Sequence, residues 1–279
     1  MSAIGADARA FAAAAHKELR TLRRYPTLFL SFFFWPILLP AVYVAMGAAY
    51  AGDDPRAVET FSGLTGTDSV AGWVFVGWAM YMWLSNVLWG AGTSLRTEQL
   101  RGTLEAVFLT PANRLVLLFG PSTGAMMPQL VNFVVMALAA HFIFGVELAP
   151  DRVARSLLVI AVTVPAMYGI GSLFASAILR FGDVSGIVQL VRGTFTIACG
   201  VTFPVVLLPE WARLVAYTLP PTYFLAGVRS ALLAGADLGD LLPDLGLLAL
   251  LGVATCALAV VGFRLTERSA RRTGMLGRY

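Results

Sequence analysis

The stretch LRTEQLRGTLEAVFLTPANR, residues 95–114, places charged and helix-forming residues between two long runs that carry no charge, 69–95 and 115–146. Leu100, Leu104, Val107 and Phe108 fall on one helical face, and Glu98, Arg101 and Glu105 fall on the adjacent one. Glu98 with Arg101, and Arg101 with Glu105, stand three and four residues apart, where opposite charges each add about 0.2–0.5 kcal/mol to a helix. Thr110-Pro111 ends the element, because the residue before a proline is pushed out of the α region. The pattern predicts a short helix over about 96–109. Its apolar side rests on a membrane domain, and its charged side is offered to a soluble partner or simply to solvent.

The flanking runs decide the fold class. The 279 residues are 58% hydrophobic and only 13% charged, with a mean hydropathy of +0.77. Soluble domains carry about 25% charged residues, and no soluble core hides this much apolar surface. The chain therefore reads as an all-α polytopic membrane protein. Uncharged runs cover 26–52, 69–95, 115–146, 156–179, 193–209 and 245–263. A crossing needs about 20 helical residues. The runs predict six transmembrane helices, at about 27–50, 70–94, 116–144, 156–179, 186–208 and 242–263. The fifth contains Arg192 near one end, from where it can snorkel to the headgroups. A further apolar run at 214–228 is too short to cross and is cut by Pro220-Pro221. Since proline breaks helices, this region, about 210–234, is expected to form an external re-entrant helical hairpin before the last span.

Six crossings put both termini on one side. That side holds Lys17, Arg20, Arg23, Arg24, Arg96, Arg101, Arg180, Arg264, Arg268, Arg271 and Arg272, while the other holds Arg56, Arg152, Arg155, Arg213 and Arg229 together with most of the acids. Positive residues mark the cytoplasm, so both termini are expected inside, in a bacterial plasma (inner) membrane. The net charge of +4 and pI near 9.3 then report topology rather than nucleic-acid binding. The segment 7–25 puts Phe11, Ala15, Leu19 and Leu22 on one helical face and Arg9, His16, Arg20, Arg23 and Arg24 on the other. This predicts an N-terminal amphipathic surface helix. It has no short apolar core with a cleavage site, and so is not read as a signal peptide.

The string from Glu98 to Pro111, E-x-x-R-G-T-L-E-x-x-x-x-T-P, resembles the intracellular coupling segment of ABC-2 type transporter permeases. GVTFPVVLLPEWARLVAYTLPPTYFLAGVRSALL, residues 200–233, resembles the fifth span and external segment of the same family. The resemblance implies the membrane half of an exporter, paired with a second permease chain (the same or a closely related one) and driven by a separate ABC ATPase subunit. ATP and Mg would sit on that subunit, with no cofactor bound by this chain. Coupling to the ATPase would fall to Glu98, Arg101, Gly102, Thr103, Leu104, Glu105, Thr110 and Pro111, with the surface helix as a second contact.

No G-x-x-x-x-G-K-[ST] phosphate loop is present in the sequence, so if the chain moves substrate actively a separate ATPase chain is expected to supply the energy. Cys199, Cys256, His16 and His141 are solitary and suggest no metal site. Asn86, Gln129 and Asn132 are amides inside apolar runs; they can line a path between the two halves or bond neighbouring helices. Pro220, Pro221, Tyr223 and Arg229 are candidates for an external lid. A largely apolar path suits an amphipathic, lipid-like or hydrophobic drug-like substrate. The alternative is an integral-membrane enzyme or scaffold, for which the spans offer only His141 as a base.

Overall fold

The computed structural model describes residues 26–51, 54–102, 114–181 and 184–273, and every regular element among them is helical. The elements are α1 (Pro26–Ala51), α2 (Pro55–Thr65), α3 (Val70–Trp89), α4 (Ser94–Leu100), α5 (Arg114–Phe144), α6 (Pro150–Phe181), α7 (Val184–Ala198), α8 (Glu210–Ala216), α9 (Pro220–Leu232) and α10 (Leu238–Thr273). The expected surface helix at 7–25 lies outside the described residues.

Among the described residues, three stretches are long and apolar enough to cross a membrane: Val70–Leu100, Pro150–Ile178 and Leu238–Ser269. Phe34–Tyr50, Gln129–Phe144 and Val184–Ala198 are shorter apolar helical segments. Local chemistry sets many of the boundaries. The Asp54 side chain accepts from Arg56 N–H at 3.0 Å, and Pro55 opens α2. Gly66 closes it at φ 73°, a conformation glycine adopts without steric cost. Ser69 caps α3 by accepting from Gly72 N–H at 3.2 Å. Pro220 and Pro221 occupy the first turn of α9, where their missing N–H groups cost nothing. The hydropathy reading passed over α2.

The bundle is built around α6. From Ala166 to Ser172 every residue of α6 is buried, which is the mark of a helix surrounded on all sides. α10 packs along its length, and α9 fills the space between them and α3. Trp83 on α3 meets Phe133 on α5 at 5.3 Å and Phe224 on α9 at 5.5 Å, both edge to face. Gly169 lets α6 and α10 approach closely, since a Cβ there would stand 2.8 Å from Thr255 Oγ1 and 2.9 Å from Cys256 N. Gly169→Val is expected to cost about 1–3 kcal/mol by overpacking, read as a lower melting temperature of the detergent-solubilised chain. An unchanged melting temperature would show that the crossing relaxes freely.

Two expected boundaries need correction. The fifth crossing does not run from 186 to 208: α7 ends at Ala198, Gly200 takes φ 78°, and Pro204 starts a short 3-10 turn at Val205–Leu207. The run 193–209 is continuous in hydropathy but not in backbone conformation. The helix expected over 96–109 is described only in part: α4 stops at Leu100, Gly102 at φ 72° donates its N–H to Gln99 O at 3.0 Å, and 103–109 lie outside the described residues.

Candidate functional site

α4 is held by its own hydroxyls and by the bundle. Thr93 Oγ1 donates to Trp89 O at 2.6 Å and Thr97 Oγ1 to Thr93 O at 3.1 Å. Leu95 is buried against Ala175 of α6 and Ala259 and Phe263 of α10. Gln99 is buried and accepts from Arg96 Nη1 at 2.6 Å. A Cβ at Gly92, in the turn before α4, would stand 2.8 Å from Phe174 of α6. The buried face is thus Leu95 and Gln99 rather than the Leu100 face expected from the sequence, and Leu100 is 61% exposed. The reason is register: the helix begins at Ser94 and ends at Leu100, so Leu100 projects from its last turn. The expected Glu98–Arg101 pair forms at 4.0 Å on the outer side, beside exposed Gly102. Thr103, Leu104, Glu105, Thr110 and Pro111 lie outside the described residues.

The amides come together between α3 and α5. Asn86 Nδ2 donates to Gln129 Oε1 at 2.9 Å, and Asn132 stands one turn further along α5. Gln129 and Asn132 are 2% and 3% exposed. Gln129 Nε2 and Asn132 Oδ1 have no hydrogen-bond partner among the described residues. Buried polar atoms left unpaired cost about 1–3 kcal/mol each, and such groups mark places that accommodate water or a polar ligand group. The bond between the helices fits one of the two roles read from the sequence; the unpaired atoms leave room for the other.

The residues considered for an external lid lie elsewhere. Pro220, Pro221, Phe224, Leu225 and Val228 are buried on α9, inside the bundle, and Tyr223 donates its hydroxyl to Tyr217 O at 2.9 Å. Arg229 is an internal clamp. Its Nη1 donates to Gly200 O at 2.8 Å, and its Nη2 donates to Val201 O at 3.2 Å and Trp73 O at 3.1 Å. The guanidinium lies 3.4 Å from the centre of the Trp73 ring. It thus ties α9 to the first turn of α3 and to the carbonyls just past α7, where helix polarity favours a cation. Sequence reasoning missed this role; the signal available was a lone arginine in an apolar run.

Arg192 also departs from its expected snorkelling. It donates to Ser85 Oγ of α3 at 3.0 Å and to Gln189 Oε1 at 2.7 Å, and it lies 5.1 Å from the Tyr81 ring. Its partners thus come from α3 and from one turn back on α7. At the α5–α6 turn, His141 Nδ1 is 2.8 Å from Val146 O, so its ring serves to close α5.

The family model described as ABC-2 type transporter matches residues 9–233. No curated protein matches the chain. The matched range takes in α4, the amide group and the Arg229 clamp.

Proposed function

Because the chain belongs to the ABC-2 type transporter family, and is thereby a membrane permease component of ABC transport, we propose that it is one half of an exporter powered by a separate ATPase subunit. Two such chains, identical or closely related, pair in a bacterial plasma membrane with their termini in the cytoplasm. Helices α1, α3, α5, α6 and α10 make five of the crossings, α7 completes the sixth together with the apolar non-helical segment 199–208 that follows it, and α8 with α9 forms the re-entrant hairpin. The substrate is amphipathic, lipid-like or a hydrophobic drug-like molecule, moved past the amides Asn86, Gln129 and Asn132.

The observation that supports coupling most directly is the seating of α4. Leu95 is 5% exposed and wedged between α6 and α10, the two helices with the most extensive mutual packing. A push on the segment after α3 is therefore delivered to the centre of the bundle. Packed interiors are stiff and transmit displacement. The charged residues Glu98 and Arg101, and Glu105 beyond them in sequence, meet the ATPase in this reading.

The test is charge reversal at Glu105 in the assembled complex. Glu105→Lys is expected to leave membrane insertion intact and to lower substrate-stimulated ATP hydrolysis several-fold. Full transport together with full ATPase binding in this variant would reduce the segment to a linker.

A further inference from the structure

A cavity of about 250 Å³ lies between α3, α5, α6 and α9, at the end of the bundle where α5 finishes and α6 begins. Its walls include Phe75, Met136, Ile160 and Phe224. Ser156 is the polar side chain among its lining residues, and its hydroxyl is already spent on Arg152 O at 2.9 Å within its own helix. The cavity therefore offers nothing to hold water, and apolar cavities of this kind stay dry. Val134 of α5 and Leu157 of α6 line it and are 57% and 54% exposed. It accordingly opens sideways, toward hydrocarbon.

Size narrows the occupant. An apolar cavity of about 150 Å³ accepts a benzene-sized guest, whereas sites for drug-sized ligands start at about 300 Å³. The volume between these suits one hydrocarbon chain. Charge narrows it further. Arg155 is engaged by Asp151 and Asp237 and by the carbonyls of Gly235 and Ala236. Arg152 has no ion pair among the described residues. Its guanidinium lies over Gly235, 3.2 Å from where a Cβ would stand, and Gly235 at φ 70° admits no side chain readily. Arg152 directly precedes the lining residue Val153, stands one turn before Ser156, and reaches over the turn that follows Leu232, another lining residue. A guanidinium is well matched to phosphate oxygens.

We infer that this cavity is a phospholipid site within a single chain, holding one acyl chain with the lipid phosphate on Arg152. The site is separate from the coupling segment and does not depend on the ATPase. The test uses the full-length purified chain in nanodiscs and phosphatidylglycerol carrying a diazirine on one acyl chain, with diazirine-labelled diacylglycerol as the phosphate-free comparison. Adducts are mapped by peptide mass spectrometry. In the wild type the phospholipid probe should mark the Val134–Ala137 and Leu157–Ile160 peptides several-fold more than diacylglycerol does. Ala137→Phe, which fills the cavity, and Val134→Trp, which blocks its mouth without entering the core, should each remove these adducts. Labelling of the exposed Leu250 and Val253 surface of α10 should be unchanged. Arg152→Gln should bring the phospholipid yield down to that of diacylglycerol. Equal yields from the two probes in the wild type, or pocket labelling that survives in folded Val134→Trp, would overturn the inference.

Discussion

Arg229→Ala should be the most damaging single substitution outside the coupling segment, destabilising the detergent-solubilised chain by about 3 kcal/mol or more. The truncation strips the charged donor from the carbonyls of Gly200 and Val201 and from Trp73 O, and it removes the stacked guanidinium from the Trp73 ring. Each buried carbonyl left without a donor costs about 1–3 kcal/mol, and in a bundle interior no water arrives to replace the lost bond. For a chain of this size, at about 2–4 °C per kcal/mol, the fall in melting temperature is on the order of 10 °C. Arg229→Lys keeps the charge but not the planar fork, and one ammonium cannot face two separated carbonyl groups and an aromatic ring at once. It should lie between alanine and wild type. Melting of Arg229→Ala within a degree or two of wild type would show that the clamp is incidental.

Leu95→Ala should separate ATP hydrolysis from transport. The side chain is buried among Ala175, Ala259 and Phe263, and trimming a buried leucine to alanine costs about 2–5 kcal/mol through lost contact and the cavity left behind. If 1.4 kcal/mol of that loss falls on the α4 contact during the working cycle, transport per ATP drops about tenfold. The measurement is substrate flux against phosphate release in proteoliposomes of the assembled complex, with thermal melting as the check on folding. An unchanged ratio in a folded variant would mean that force reaches the bundle by another route.

Legibility followed the physics of each signal. Helices Pro26–Ala51 and Arg114–Phe144 match in extent the stretches 27–50 and 116–144 expected to be helical, because prolines, charges and long apolar runs mark their ends in composition. The break at Pro220-Pro221 was readable from proline's missing donor. The end of α7 was not: the residues after Ala198 are as apolar as those before it, and the turn is fixed by backbone dihedrals at Gly200. The α4 register was missed by one face, since helical spacing says which residues align but not where the helix stops. The role of Arg229 was hidden for a different reason. Arginines in a membrane protein are read as markers of orientation, whereas this one is used for the donors on its two Nη atoms. The amides were found by polarity alone, yet only coordinates show which of their atoms are left unpaired.

The shortness of α7 bears on the lipid around it. Its 15 residues reach about 22 Å, against a hydrocarbon slab of about 30 Å, while α10 with 36 residues extends about 54 Å. Leu190 and Ile197 of α7 are 71% and 56% exposed, and past its end Val206 and Leu207 are 50% and 58% exposed, so the apolar flank goes on where the helical backbone stops. In the proposed crossing by α7, non-helical backbone facing hydrocarbon is costly, so the bilayer thins toward the helical height at this flank and not beside α10. Mismatch of this kind costs a fraction of a kcal/mol for each ångström, so the protein fits a thin membrane with less deformation than a thick one. The depth of the host bilayer thus becomes a setting on where the protein collects and how readily it changes shape.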